Sequence, residues 1–177
     1  MASDEHRVYF ALQPDPAAAR AAFALAQAVR REHGLTAPVM PVARMHVSLL
    51  RLADDHTGQT IDKAREAVAR IAQPPFRIAF NRLASFGGDA LVLYGDEGVI
   101  GAELLHAAIH AALKAPGIAH GRPRAIAPHM TLMRQAPVLP EAHVAPVSWV
   151  AREFVLVHST DGRHDVLGRW PLVSPPA

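Results

Sequence analysis

Hydrophobic and polar positions follow two different periods along the chain, and the period of a segment predicts its secondary structure. Seven segments have the composition or the alternation of strands: 8–12, 45–52, 76–86, 90–94, 129–133, 149–157 and 166–171. Three have the spacing of helices: about 16–33, 60–71 and about 98–115. Because the helices stand among hairpins and do not alternate strictly with strands, the pattern predicts an α+β domain and not a doubly wound sheet.

Turn-forming residues mark the limits of these segments. Asp15, which lies between two prolines, is the predicted N-cap of the first helix, and Gly34 is its predicted end. The run 87–89 (GGD) predicts a hairpin between the two strands that flank it, and 161–162 (DG) predicts the turn before the last strand.

Composition limits the classes of function. A length of 177 residues with 50% apolar residues predicts one domain over residues 1–177. The absence of cysteine excludes disulfides, thiolate nucleophiles and cysteine-ligated metals. Acidic residues at positions 4 and 5 do not fit a secretory signal, and the alanine-rich segment 17–29 is too short for a membrane span. We expect a cytoplasmic monomer without a membrane segment.

The most informative feature is an internal repeat. Residues 46–51 (HVSLLR) and 129–134 (HMTLMR) share one pattern: histidine, apolar, hydroxyl, leucine, apolar, arginine. Strand alternation puts His46 beside Ser48, and His129 beside Thr131, while the apolar residues between them point into the core. Two copies with matching flanks favour a functional pair over two ordinary strand histidines.

Two histidines, each beside a hydroxyl, suit phosphoryl chemistry. Because the unperturbed pKa of histidine is near neutrality, one imidazole can deprotonate an attacking water while the other protonates the departing oxygen. His46 and His129 are therefore the predicted catalytic residues, with Ser48 and Thr131 as hydrogen-bond donors to phosphate. This chemistry calls for no metal and no other cofactor. The sequence has no phosphate loop, dinucleotide fingerprint or serine-hydrolase elbow.

With these motifs the sequence resembles the two-histidine phosphoesterase superfamily, in particular its RNA 2′,3′-cyclic phosphodiesterase branch, also called the 2′-5′ RNA ligase family. Segments 7–12 (RVYFAL) and 154–159 (FVLVHS) and Pro128 add to the match. The resemblance implies a bilobal, pseudo-twofold α+β fold, with antiparallel sheets around a central cleft and helices outside. It also implies hydrolysis of terminal 2′,3′-cyclic phosphate to a 2′-phosphate, and reversible joining of RNA ends through 2′-5′ linkages.

Two arginines follow the motifs at the same offset. Arg134 matches an arginine that contacts phosphate in similar enzymes, but simple alternation puts it on the face opposite His129 unless the strand ends or bulges near Met133. For Arg51 a solvated surface position is favoured. The family pattern differs at Ser48, where threonine is more common, and at 51–54 (RLAD), where many members have an aromatic-leucine-glycine run.

The other histidines lack a paired context. His106 and His110 have the i, i+4 spacing of a helical metal pair, but they continue a polar stripe, which predicts a solvated helix face. Six further histidines are predicted surface or loop residues: His33, His56, His120, His143, His158 and His164. Of Tyr9 and Phe10, one is expected in the core and the other near the cleft, where it is a candidate to stack on a base.

Two alternatives use the same residues. A phosphodiesterase for small cyclic nucleotides, or for a cyclic ADP-ribose phosphate, would have the same catalytic pair, so the partners are RNA ends or cyclic nucleotides. A non-catalytic module that binds RNA ends would need positive charge more than two titratable groups. The two imidazoles therefore favour an enzyme.

Overall fold

The chain folds around one antiparallel sheet, as shown by a computed structural model that describes residues 6–96, 98–121, 126–160 and 163–175. Three α-helices occur in these residues: α1 (Pro16–Glu32), α2 (Gly58–Val68) and α3 (Ile100–Lys114). They also contain eight strands: β1 (Arg7–Leu12), β2 (Val47–Arg51), β3 (Phe76–Phe86), β4 (Ala90–Tyr94), β5 (His129–Arg134), β6 (Ala142–Ala151), β7 (Glu153–Thr160) and β8 (Arg163–Pro171). The predicted α+β class is confirmed.

The predicted capping and turn residues have the local geometry that their roles require. The side chain of Asp15 accepts a hydrogen bond of 2.8 Å from the backbone N–H of Ala18 and so satisfies one of the free donors at the start of α1. Gly34 follows the end of α1 with a φ of 60°. In the β3–β4 hairpin, Gly87 and Gly88 have φ values of 64° and 86°, which favour glycine. The predicted turn at 161–162 lies outside the described residues.

The strand order is β6-β3-β4-β5-β2-β1-β7-β8, so the strands form one sheet and not two. This corrects the expectation of separate sheets. Two halves of four strands meet at β5 and β2, which share a single register pair, Val47 opposite Met130. In each half, the strand that carries a motif pairs with the strand before it in sequence, and a helix connects the two. Strand β2 pairs with β1, and β5 pairs with β4. The β-α-β arrangement is therefore repeated.

The two faces of the sheet differ in what covers them. The main apolar core includes Val8 and Phe10 of β1, both fully buried, and α3 packs against β2 on its side of the sheet. The alternate positions on β1 and β7 form a smaller buried cluster, made of Tyr9, Ala11, Val155 and Val157. The motif residues predicted to face the core, namely Val47, Leu49, Met130 and Leu132, are at most 3% exposed. The polar motif residues between them thus belong to the other face.

Two strand predictions needed correction, of which the smaller concerns β8, which begins at Arg163 and not at 166. The apolar segment 149–157 is not a single strand, because β6 ends at Ala151 and β7 begins at Glu153. Strand β6 begins at Ala142, earlier than predicted, and contains Pro146. It lies at the edge of the sheet, where a missing N–H donor is tolerated. None of the described helices has the length and apolar character needed to cross a membrane.

Candidate active site

The two motifs lie side by side where the halves of the sheet meet. Since Val47 is opposite Met130 in an antiparallel pair, His46 lies across from Thr131, and Ser48 across from His129. The two histidines are then diagonal neighbours, whose Cα atoms in such a pair are roughly 7–8 Å apart. A phosphate placed between the imidazoles would also be near both hydroxyls.

Both imidazoles are held in the same way. Nδ1 of His46 lies 2.7 Å from the backbone carbonyl oxygen of Arg44, and Nδ1 of His129 lies 2.7 Å from that of Ala127. A carbonyl oxygen can only accept, so each Nδ1 carries the hydrogen and donates it. In the neutral ring Nε2 is left with a lone pair, which makes it the nitrogen available for proton transfer.

An aromatic ring packs against each histidine. The Tyr9 ring stacks on His46, with centroids 5.0 Å apart and planes at 29°, and Phe86 contacts His129 edge-on at 5.1 Å. Phe10 is fully buried in the core, and Tyr9 lies beside His46. One of the two residues is thus in the core and the other near the motif, as expected. Tyr9 is only 8% exposed, and its burial raises the pKa of its hydroxyl to about 12, against the effect of nearby arginines. The phenol therefore stays neutral.

The surroundings of His46 favour its neutral form. Burial lowers the pKa of His46 below its ordinary value, because desolvation penalises the imidazolium. The hydrogen bond to the Arg44 carbonyl opposes this effect, and the positive charges of Arg134 and Arg44 add to it. Neutral His46 is suited to accept a proton from water.

A bulge in β5 determines where Arg134 points. In the pairing with β4, Thr131 lies opposite Val92 and Met133 opposite Leu91, so Leu132 is an extra residue. The extra residue shifts the alternation by one and returns Arg134 to the side of Thr131. Arg134 accordingly lines a cavity together with His46 and Ser48. Of the two alternatives that the sequence left open for this arginine, the structure has the bulge near Met133.

Strand β2 has a matching bulge. Against β1, Ser48 lies opposite Ala11 and Leu50 opposite Phe10, so Leu49 is the extra residue. Arg51 therefore returns to the side of Ser48 and lines the same cavity, where it forms an ion pair with Asp54. Its side chain is 40% exposed, so Arg51 is solvated, as expected, and it also forms part of the cavity wall.

In each bulge, the backbone carbonyl of the extra residue accepts a hydrogen bond from a residue outside the two paired strands. Nδ1 of His106 donates to the Leu49 carbonyl at 2.8 Å, and the backbone N–H of Met40 donates to the Leu132 carbonyl at 2.7 Å. His106 is 9% exposed, which corrects the expectation of a solvated helix face. His110 is half-buried and its ring lies 4.8 Å from that of His120. The donors from His106 and Met40 satisfy buried carbonyls that the bulges leave free.

The cavity between these elements has a volume of about 450 Å³. Of the predicted site residues, His46, Ser48 and Arg134 belong to its wall, and His129 and Thr131 lie on the neighbouring strand β5. Its lining, within the ranges that the structure describes, is Arg7, Tyr9, Met40, Arg44, His46, Ser48, Leu49, Leu50, Arg51, Asp89, Arg134, Gln135, Ser159 and His164. In the described part of the chain, no cluster of three or more His, Asp and Glu side chains is arranged to hold a metal.

Two residues of this wall were missed by sequence reasoning. Arg44 directs Nε and Nη2 at Nε2 of His164, at 3.3 and 3.2 Å, and the His164 ring lies 5.4 Å from that of His46. Burial, and next to it the charge of Arg44, lowers the pKa of His164 to about 4, so this ring is a neutral acceptor. The surface position expected for His164 is therefore wrong. No local motif marks it, because the pairing of β8 with β7 brings it to the site.

Comparison with known proteins bears on the family and the fold. The family model described as the 2′-5′ RNA ligase superfamily matches residues 9–163. A crystal structure described as a phosphoesterase is similar at 19% identity with a TM-score of 0.79, covering 96% of this chain and 99% of its own. LigT of E. coli in the apo form is similar at 22% identity with a TM-score of 0.78, covering 97% and 100%.

A third structure, TT0787 of Thermus thermophilus, is similar at 21% identity with a TM-score of 0.77, covering 95% of this chain and 98% of its own. At these identities the structural likeness establishes the fold. A search of curated proteins finds no match.

Proposed function

This chain belongs to the 2′-5′ RNA ligase superfamily, and from that membership and the site geometry we propose that it hydrolyses RNA-terminal 2′,3′-cyclic phosphate to a 2′-phosphomonoester. The observation that carries the proposal is the matched pair of imidazoles at the β2–β5 junction. Each is fixed through Nδ1 to a backbone carbonyl, with Nε2 left for proton transfer.

The proposed reaction divides two proton transfers between the histidines. Nε2 of neutral His46 accepts a proton from water as the water oxygen attacks phosphorus. Nε2–H of protonated His129 donates a proton to the ribose O3′ as the P–O3′ bond breaks, which leaves the phosphate on O2′. The lowered pKa of His46 supports its role as the base. Attack by an RNA 5′-hydroxyl in place of water would form a 2′-5′ linkage, and the reverse step would break it.

Hydroxyl and guanidinium groups are proposed to hold the phosphate. Ser48 and Thr131 each lie across the strand pair from the other motif's histidine and can donate to non-bridging oxygens. Arg134, brought to the cavity by the bulge in β5, adds a positive charge on the same side. We propose that the central cleft lies between the two halves of the sheet, as the bilobal arrangement implied by the family resemblance requires.

The solved relatives include complexes with nucleotides. E. coli LigT has been crystallised with 3′-AMP, NADP+, ATP and phosphate. These complexes support a nucleotide-sized, phosphate-bearing ligand for this chain. A cavity of about 450 Å³ is in the range of sites that enclose small ligands, which also keeps small cyclic nucleotides as a second candidate substrate.

A substrate comparison tests the proposal. A short oligonucleotide with a 2′,3′-cyclic phosphate end and a cyclic mononucleotide are each incubated with the protein, and phosphorus NMR identifies the products. We expect turnover of the oligonucleotide to a 2′-phosphate. Faster turnover of the mononucleotide would favour the small-nucleotide alternative, and a 3′-phosphate product would contradict the assigned direction of bond cleavage.

A further inference from the structure

We infer that Arg44, held in place by His164, forms a second phosphate subsite on the His46 side of the cavity. The preferred substrate is then a 2′,3′-cyclic phosphate that carries a second phosphate on its 5′ side. This phosphate is the 5′ phosphodiester of an RNA end or the 5′-phosphate of a nucleotide. The inference deepens the proposed function and depends on it for the identity of the first phosphate.

The cavity has more positive charge than one cyclic phosphate needs. Among the residues that the structure describes, its wall contains four arginines, namely Arg7, Arg44, Arg51 and Arg134, and one carboxylate, that of Asp89. A cyclic phosphodiester carries one negative charge. Arg51 is paired with Asp54, and Arg134, on the strand of His129, is placed to hold the reacting phosphate. Of the two other arginines, Arg7 and Arg44, the second is the one whose backbone carbonyl also holds His46.

No carboxylate in the described part of the chain pairs with Arg44. Its Nε and Nη2 both point at Nε2 of His164, a neutral acceptor. A guanidinium has five N–H donors, so Nη1 and the second hydrogen of Nη2 are left for a ligand, with the full positive charge. An arginine that is oriented without being neutralised is suited to bind an anion.

The backbone of the same residue fixes its distance from the reaction. The carbonyl oxygen of Arg44 accepts the Nδ1 hydrogen of His46, and Arg44 ends the short 3₁₀ helix Val42–Arg44 that leads into β2. Burial lowers the pKa of His46, and the charges of Arg134 and Arg44 lower it further, so both guanidinium groups act on this imidazole. The positive charges of Arg134 and Arg44, both close to His46, suit a ligand that carries two phosphates.

Three substrates test the inference. They are a cyclic mononucleotide with a free 5′-hydroxyl, the same nucleotide with a 5′-phosphate, and a dinucleotide that ends in a 2′,3′-cyclic phosphate. In the wild type we expect the second phosphate to raise kcat/KM by roughly 10- to 150-fold, the worth of a hydrogen bond between charged groups. The substrate that shows the gain identifies the source of the phosphate, whether a terminal monoester or an internal diester.

Variants show whether Arg44 supplies the gain. Arg44→Gln should remove most of the advantage of the second phosphate, and Arg20→Gln, an exposed position on α1 with the same change of charge, should keep it. His164→Leu should reduce the advantage, because the guanidinium loses its acceptor, and His164→Gln, which retains an acceptor oxygen, should restore part of it. Equal kcat/KM for all three substrates in the wild type would overturn the inference.

Product analogues give the same comparison without turnover. Calorimetry measures the affinity for a nucleoside 2′-phosphate and for the 2′,5′-bisphosphate in the wild type and in Arg44→Gln. Tighter binding of the bisphosphate in the wild type alone supports the subsite, even if no cyclic phosphate is hydrolysed and the proposed function fails. An advantage that persists in Arg44→Gln overturns the subsite and leaves the proposed function unaffected.

Discussion

Val47 and Met130 lie directly opposite each other at the junction of β2 and β5. They come from distant parts of the chain, and both are fully buried. In the sequence, each stands between the histidine and the hydroxyl residue of its own motif. Their pairing places His46 and His129 on a diagonal across the two strands. The proposed chemistry depends on this one register pair, because a slip by one residue would turn one histidine to the core face.

Removal of either imidazole should nearly abolish turnover. His46→Ala and His129→Ala are each expected to lower kcat for a 2′,3′-cyclic phosphate by about 10²–10⁴, since each removes a general acid or base. His143→Ala, an exposed histidine on β6, is the matched control and should keep normal kcat. Steady-state kinetics on folded variants measure the effect, and normal turnover in either catalytic variant would show that the pair is not the acid and base.

Removal of a hydroxyl should have a smaller effect. Ser48→Ala and Thr131→Val are each expected to lower kcat/KM by about 10- to 150-fold, because each loses one hydrogen bond to a charged phosphate. Ser48→Thr keeps the donor and should stay near the wild type. If Ser48→Ala equals Ser48→Thr in kcat/KM, this hydroxyl does not bind the substrate.

The value of kcat/KM should fall on the acidic side only at an unusually low pH. As the base, His46 must be deprotonated, so kcat/KM rises with pH through the pKa of His46, which burial holds below its ordinary value of about 6.5. Tyr9→Ala exposes the imidazole ring of His46 and should move this acidic limb of the pH profile to higher pH. Tyr9→Phe keeps the stacked ring and should leave it in place. An acidic limb above pH 6.5 in the wild type would contradict the assignment of His46 as base.

The bulge in β2 should depend on His106 for stability. His106→Leu leaves the buried Leu49 carbonyl without its donor and should lower the free energy of unfolding by about 1–3 kcal/mol. His110→Leu, one turn along α3, removes no such bond and serves as the control. Urea unfolding followed by circular dichroism measures both. A His106→Leu protein as stable as its control would mean that another donor satisfies the carbonyl.

Local sequence patterns predicted the parts of the fold that local chemistry determines. Asp15 and Gly34 marked the ends of α1 because capping and a positive φ restrict the residues that can occur there. The repeat predicted a common face for His46 and His129, because the apolar residue that follows each of them belongs to the core. The α+β class followed from the order of these segments.

Tertiary pairing determined what the sequence did not predict. The extra residue of each bulge is a leucine, Leu49 or Leu132, which is as apolar as its neighbours, so nothing in the pattern marks the change of alternation. For this reason alternation alone could not decide the face of Arg134, which depended on whether the strand ends or bulges near Met133. His164 reaches the site because it lies on β8. Its partner Arg44 is far away in the sequence, so no local pattern predicts their contact.

The central claim is that the two imidazoles carry out the hydrolysis without a metal. Its most direct test is turnover of an oligonucleotide ending in 2′,3′-cyclic phosphate, in excess EDTA, by the wild type and by His46→Ala and His129→Ala. We predict undiminished formation of the 2′-phosphate by the wild type and loss of it in both variants. Activity that EDTA abolishes and a divalent cation restores would contradict the account.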